Sequence, residues 1–526
     1  MLVVKGQQRV TNGRNSNTKG VENIISNGSI VAVNEGQCMI IVDQGGIVEF
    51  CADAGEFVYD SSTEPSLFYG NLGESVIFLI FSSIEFLLWF LPIFLIVYGI
   101  TPRKYRNLTL LVGSIVFYAR GDVRYLPLLM ISILCNYFLG LHLAKRSPKT
   151  LWRKKLLLIL TLGANLAVLL WFKDWGGSAG LPLGISFYTF QILSYQIDVY
   201  RGEVSREYSF LKFATYVIMF PKLISGPITR YGDISDSLTE RTFTVRGLED
   251  GMKLFILGLA AKVLLADRVG ILWHEVQVTG FESISTPLAW LAAIAYSMEI
   301  YFDFWGYSLM AMGLGRMMGI ELPANFRRPY MARSVRDFYR RWHMTLGQWF
   351  CRYVYIPLGG SRQGELRTIF NLLVVWMLTA FWHGAGWNFF CWGGLLWICI
   401  VLERQLGRLK FVHKMKVLPH IYLWLVIPMS WMCFAITDLS QLQVYLDKML
   451  WLVPGFSGGY EDAWKALSTY GGLLLVSGLA CTPVIEKLYH KWQDKLPVKV
   501  LLSGLFWYCI WRLLLEGNNP FMYFSF

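Results

Sequence analysis

The order of apolar and polar positions divides this chain near residue 75. Before that point, Ile30–Val33, Met39–Val42 and Ile47–Cys51 are short β-branched runs. They are broken by Asn27-Gly28, Asn34-Glu35-Gly36 and Gln44-Gly45-Gly46. Runs of four or five residues between such turn signals predict strands of a small β-type fragment. Beyond residue 75 the runs lengthen toward the ~20 helical residues that cross a ~30 Å hydrocarbon layer. They predict membrane helices near 77–100, 107–120, 125–144, 155–172, 183–199, 210–226, 248–266, 286–305, 368–383, 386–402, 419–436, 468–485 and 499–515. Segments 107–120 and 183–199 are short or interrupted by Gly and Pro, the pattern of tilted or re-entrant helices.

Composition agrees with lipid as the solvent. Of the 526 residues, 55% are hydrophobic and 16% charged, against about 25% charged in soluble domains; mean hydropathy is +0.43. The 21 Trp suit the bilayer interface, where an amphipathic ring has one wet and one apolar side. A net charge of +12 suggests nucleic acid until its distribution is considered. Residues 1–75 hold four basic and nine acidic side chains, a net of −5, and the remainder carries +17 between apolar runs. Arg103, Lys104 and Arg106 follow the first predicted span; Lys145, Arg146, Lys149, Arg153, Lys154 and Lys155 follow the third. Such loops face an anionic cytoplasmic leaflet, and no nucleic-acid partner is expected. The first span then begins outside, an awkward setting for an acidic N-terminal piece with no signal-peptide pattern.

The nine cysteines form no CxxC pair, so neither a metal site nor a disulfide framework is expected. Phosphate-loop, GxSxG and HExxH motifs are absent. Among the seven histidines, His383 stands apart, closing the run Leu372–Phe381 and opening Trp382-His383-Gly384-Ala385-Gly386-Trp387-Asn388. An ionisable group at membrane depth is costly and marks a cavity or a partner; a histidine bonded to a carbonyl is the structural alternative. The segment Ser334–His343 packs arginines, aromatics and a second histidine. As one helix it sets Arg336, Tyr339, Arg340 and His343 on a common face. That face fits an interfacial helix with its arginines among headgroups, and equally a cationic lining for a phosphorylated acyl carrier. Glu299 and Asp303, four residues apart in an apolar run, require a partner such as the arginine-rich segment, or a proton path; the structural pairing is favoured.

From about Phe81 to Phe526 these blocks resemble the bacterial membrane-bound O-acyltransferase family, in its alginate O-acetyltransferase branch, and less closely the branch that D-alanylates teichoic acids. The resemblance rests on Phe81-Ser82-Ser83-Ile84-Glu85-Phe86, Leu181–Phe190, Asp198-Val199-Tyr200-Arg201-Gly202, Phe220–Ile228 and Ala266-Asp267-Arg268. Its most specific blocks are Asn325-Phe326-Arg327-Arg328-Pro329-Tyr330, Arg340-Arg341-Trp342-His343, Trp382-His383-Gly384 and the ending Asn519–Phe524. It implies an all-α polytopic fold, a ring of helices around a tunnel joining the two faces of a bacterial cytoplasmic membrane. It implies His383 and His343 as catalytic residues, with Arg340, Arg341, Asn325, Trp382 and Asn388 toward donor and substrate. It further implies acetyl-CoA as acyl donor with no bound cofactor, a polysaccharide acceptor, and an extracytoplasmic acetyltransferase-type partner protein. The chain departs from the family pattern at Trp305 and Leu309, near Leu396 and Trp397, and at Phe434-Ala435-Ile436, departures that bear on acceptor specificity and on full activity. A D-alanyltransferase, a non-catalytic acyl or polysaccharide transporter and an inactive scaffold are the competing readings. Ser29–Phe68 resembles the start of an SPFH-type (stomatin/prohibitin-like) protein, which implies two joined reading frames, a non-catalytic piece over 1–75 and an acyltransferase domain over 76–526.

Overall fold

The computed structural model describes residues 80–143, 151–175, 181–407, 417–451 and 460–516, together with the backbone of four short strands. The chain divides into two compact units, Met1–Ile77 and Phe78–Phe526. In the first, β1 (Ile30–Val33), β2 (Met39–Asp43) and β3 (Gly46–Cys51) fall where the sequence predicts strands. A fourth, β4 (Gly55–Val58), pairs antiparallel with β1, while β2 pairs antiparallel with β3. The turns at Asn27-Gly28, Asn34-Glu35-Gly36 and Gln44-Gly45, the start of the first span at 77–79, the basic loop with Lys145, Arg146 and Lys149, and the ending Asn519–Phe524 lie outside the described residues.

In the second unit the regular secondary structure among the described residues is helical. A π-helical turn at Phe86–Phe90 leads into α1 (Leu91–Ile100), followed by α2 (Arg106–Asp122), α3 (Leu126–Leu143), α4 (Leu151–Leu170) and α5 (Ile185–Arg201). The short helices α6 (Phe210–Ile218), α7 (Phe220–Leu223) and α8 (Tyr231–Thr239) precede α9 (Val245–Ala260), α10 (Asp267–Thr279) and the long α11 (Thr286–Met317). Next come α12 (Val335–Tyr339), α13 (Met344–Phe350), α14 (Glu365–His383), α15 (Trp387–Leu406), α16 (Leu418–Ala435) and α17 (Leu439–Met449). The unit closes with α18 (Glu461–Ala480), α19 (Pro483–Trp492) and α20 (Leu496–Glu516).

Among the described residues six helical stretches are long and apolar enough to cross a bilayer, seven if the bent pair α18–α19 is one span. The protein is a multi-pass membrane protein. Fewer stretches qualify than the thirteen apolar runs suggest, for identifiable reasons. Runs 107–120 and 125–144 belong to one helical stretch, Arg103–Leu143, because only a 3₁₀ turn at Val123–Tyr125 separates α2 from α3. Helices α5 and α11 are apolar because other helices surround them: α5 buries 14 of its 17 residues. Hydropathy does not distinguish lipid from a protein interior.

Helix α11 owes its central place to glycine. A Cβ on Gly306 would sit 2.6 Å from the carbonyl oxygen of Gly258, and one on Gly313 2.6 Å from that of Gly251. Glycines seven residues apart on each helix therefore let α9 and α11 run antiparallel with their backbones nearly touching, the way small residues bring membrane helices together. Beside this seam Lys262 Nζ lies 2.7 Å from both Asp267 and Asp303, with the Lys262 and Asp303 side chains each 3% exposed. Asp303 is thus paired structurally, as expected, but with a lysine of the π-helical turn Ala261–Ala266 rather than with the arginine-rich segment. Within that segment Arg341 pairs with Asp337 at 3.0 Å. Glu299 packs its carboxylate against Gly270 of α10, where a Cβ would come within 2.4 Å of Oε1.

Candidate active site

The sequence predicts one helix through Arg336–His343; the structure breaks it. Helix α12 ends at Tyr339, and His343 adopts a left-handed conformation (φ 44°, ψ 53°) before α13 begins at Met344. A β-carbon makes that conformation costly, by about 1–3 kcal/mol, so neighbours must over-determine it. They do so through Asn325. Its carbonyl oxygen accepts from Met344 N at 2.8 Å, and Arg327 N donates to Arg341 O at 2.9 Å, pinning both sides of the break. The break separates residues that one helix would have aligned. Tyr339 and His343 turn into the protein, whereas Arg336 and Arg340 are exposed and Arg341 pairs with Asp337 at 3.0 Å.

His343 is buried, and its Nδ1 lies 3.1 Å from Asn325 Oδ1. Phe304 meets the ring edge-on with centroids 4.8 Å apart, and Phe187 and Trp382 lie farther out at 6.4 and 6.2 Å. Burial lowers the pKa of this imidazole, so it rests in its neutral form.

His383 arrives from another direction, as the last residue of α14. Gly384 ends the helix, and a Cβ there would fall 2.5 Å from the Phe389 ring, so α15 packs directly over the histidine. Trp382, Phe434, Trp392 and Phe389 surround the imidazole, with centroids at 4.7, 4.9, 5.2 and 6.2 Å. Lys173 Nζ donates to the carbonyl of Trp382 and stands 5.4 Å from its ring centroid.

Both histidines line one cavity of about 120 Å³. A single water needs about 10–15 Å³ on this measure, so the space admits a small acyl group. Its walls are mostly apolar: Ile300 from α11, Leu346 and Phe350 from α13, Val375 and Trp376 from α14, Trp431 and Phe434 from α16. Tyr339 and Thr379 add hydroxyls, and Gly347, exposed at its surface, also contributes. A low-dielectric chamber with two imidazoles suits proton transfer at a hydroxyl or acyl group more than the binding of a permanent charge. Among the described residues no group of three or more His, Cys, Asp or Glu side chains is placed to hold a metal ion.

The structure therefore joins His343, His383 and, one hydrogen bond behind, Asn325. Trp382 lies beside both imidazoles, with centroids 4.7 Å from His383 and 6.2 Å from His343, and is not among the lining residues. Asn388 is buried with its amide donating to the carbonyl of Phe434 at 3.3 Å, which secures one cavity wall. Arg340 and Arg341 are not among the lining residues. Neither are Trp305, Leu309, Leu396 and Trp397, whereas Phe434 is. Sequence reasoning missed Lys173, Phe304, Trp392 and Thr345; only Thr345, two positions after His343, had a local signal.

Residues 142–440 match the family model for the membrane-bound O-acyltransferase family, MBOAT. That stretch contains the whole cavity lining. The chain belongs to the MBOAT family. It is an O-acyltransferase. It is 37% identical over 381 residues to the probable alginate O-acetylase AlgI of Pseudomonas putida, covering 69% of this chain and 78% of that protein. It is 35% identical over 434 residues to the peptidoglycan O-acetyltransferase of Helicobacter pylori, covering 72% and 81%. The teichoic acid D-alanyltransferase of Streptococcus thermophilus is 28% identical over 250 residues, covering 44% of this chain and 59% of its own length. In this MBOAT protein the histidine cavity lies within the matched stretch, and the β-strand unit lies outside it.

Proposed function

We propose that this MBOAT protein transfers an acetyl group from cytoplasmic acetyl-CoA toward hydroxyls of an extracytoplasmic polysaccharide or cell-wall glycan. The observation that carries the proposal is the single apolar cavity lined by His343 and His383. The acyl thioester occupies the cavity and the acceptor hydroxyl approaches an imidazole. As the oxygen–acyl bond forms, the imidazole takes the hydroxyl proton; the carbon–sulfur bond breaks, and the thiol leaves with that proton. His343 and His383 are the catalytic pair, with Asn325 and Trp382 behind them. Asn388 shapes the acceptor side through Phe434. Arg340 and Arg341 lie beyond the cavity, where guanidinium groups suit the phosphates of the donor.

The basic loops support a reading in which the donor side is the cytoplasmic face of the bacterial inner membrane and an extracytoplasmic acetyltransferase-type partner completes delivery to the polymer. The alginate O-acetylase and peptidoglycan O-acetyltransferase relatives align at 37% and 35% identity over 78% and 81% of their length, against 28% over 59% for the D-alanyltransferase, which favours acetyl over D-alanyl transfer. Residues 1–75 form a separate, non-catalytic SPFH-like appendage, a reading supported by the division of the chain after Ile77. Membranes containing the protein, supplied with acetyl-labelled CoA or with a D-alanyl-charged carrier protein, test the donor. Label from acetyl-CoA on extracellular polymer supports the proposal; label from the D-alanyl carrier alone overturns it.

A further inference from the structure

The hydrogen bonds behind His343 have only one consistent direction. The amide of Ile228 is a donor, and it reaches Thr345 Oγ1 at 3.0 Å. That hydroxyl lies 2.9 Å from Asn325 Oδ1, leaving its own hydrogen to point there. Thr345 N, which can only donate, also faces Oδ1 at 3.3 Å. The Asn325 side chain therefore cannot be turned over, because its NH₂ would then oppose a backbone N–H. With oxygen fixed at this position, the neighbouring Nδ1 of His343 at 3.1 Å must carry a hydrogen. A neutral imidazole protonated on Nδ1 holds its lone pair on Nε2. His343 lines the cavity and Asn325 does not, so Nδ1 is the nitrogen turned toward a residue outside the lining.

We infer that Thr345 is a positioning residue which, acting through Asn325, locks His343 in the tautomer whose basic nitrogen is Nε2. The bond sequence Ile228 N–H to Thr345 hydroxyl to Asn325 Oδ1 to His343 Nδ1–H selects the one neutral form able to accept a proton from a group in the cavity. The opposite tautomer presents a hydrogen there and cannot act as a base. The left-handed backbone at His343 serves the same end, because it brings the ring and the Thr345 hydroxyl onto one acceptor atom. The role rests on the proposed acyl transfer only for its consequence; the tautomer itself is independent of the reaction.

The test is nitrogen NMR of the full chain in lipid nanodiscs, with ¹⁵N-labelled histidine and the His343 signals assigned by their absence in His343→Gln. Wild type is expected to show a protonated Nδ1 and an unprotonated Nε2 at neutral pH. A spectrum with the proton on Nε2 overturns the inference whatever the enzyme does. Thr345→Val removes the 2.9 Å hydroxyl bond and keeps the shape, leaving only the longer 3.3 Å backbone amide contact to hold Asn325 Oδ1; it is expected to weaken the lock, populate both tautomers and slow turnover about tenfold with KM unchanged, the scale of one lost hydrogen bond. Thr345→Ser is expected to restore both. Retention of one tautomer and full turnover in Thr345→Val also overturns the inference. A wild-type protein with the expected tautomer but no acetyl transfer counts against the proposed function and leaves the tautomer assignment standing.

Discussion

The seam between α9 and α11 and the histidine cavity are both buried and both contain ionisable groups, yet they are built on opposite terms. At the seam, Lys262 is enclosed by two carboxylates at 2.7 Å, and glycines remove the space between backbones. The lysine's charge is taken up by its carboxylates, and the backbones close in at the glycines. In the cavity the imidazoles are packed among aromatic rings, and a 120 Å³ space is left beside them. A buried charge that is fully paired is a fastening, whereas a buried neutral base beside open space is a reagent. The same apolar environment serves both regions; the partner of the ionisable group decides its role.

This contrast can be broken first at the seam. Lys262→Met leaves Asp303 buried without its cation and is expected to cost about 3–5 kcal/mol, read as a lower unfolding temperature and less folded protein in detergent. The double variant Lys262→Met/Asp303→Leu removes the lysine and the more deeply buried of its two carboxylates, leaving Asp267, which is 17% exposed, and is expected to recover most of that loss. The molecules that do fold should keep their transfer rate per mole, because the seam supplies no reacting group. A rate that falls with Lys262→Met after correction for folded protein would join the two regions functionally.

A smaller effect is expected at the cavity wall. Asn388→Ala removes the donor to the Phe434 carbonyl and is expected to cost about 1 kcal/mol in stability. Transfer should fall by about tenfold or less as the wall loosens, measured as initial rate at saturating donor. The smallest effect belongs to the separate N-terminal unit. Deleting residues 2–75 is expected to leave membrane insertion and transfer unchanged, measured by membrane fractionation and the same assay; loss of both refutes the non-catalytic reading of that piece.

Much of this organisation was legible in the sequence. Three of the four described strands and nearly every apolar run appear where the pattern predicts. His383 announced itself as a lone ionisable group between two spans. Other features were hidden for physical reasons. Hydropathy reports that α5 and α11 avoid water but not that protein replaces lipid around them. Helical spacing put Arg336, Arg340 and His343 on one face because periodicity assumes an unbroken helix. The left-handed break depends on Asn325, 18 residues earlier in the chain. Thr345 and Ile228 are 117 positions apart, and no local pattern reveals that they meet. Asp303 required a partner, but its i,i+4 neighbour gave no hint that Lys262 would supply it.

The central claim is that the cavity histidines perform acyl transfer. The most direct test is polymer acetylation by membranes carrying equal amounts of folded wild type and His383→Ala, supplied with labelled acetyl-CoA. The expected result is label on extracellular polymer with wild type and a loss of about 10²–10⁴-fold in the variant, the range of a missing acid–base group. Equal labelling by the two proteins would contradict it and remove His383 from the chemistry.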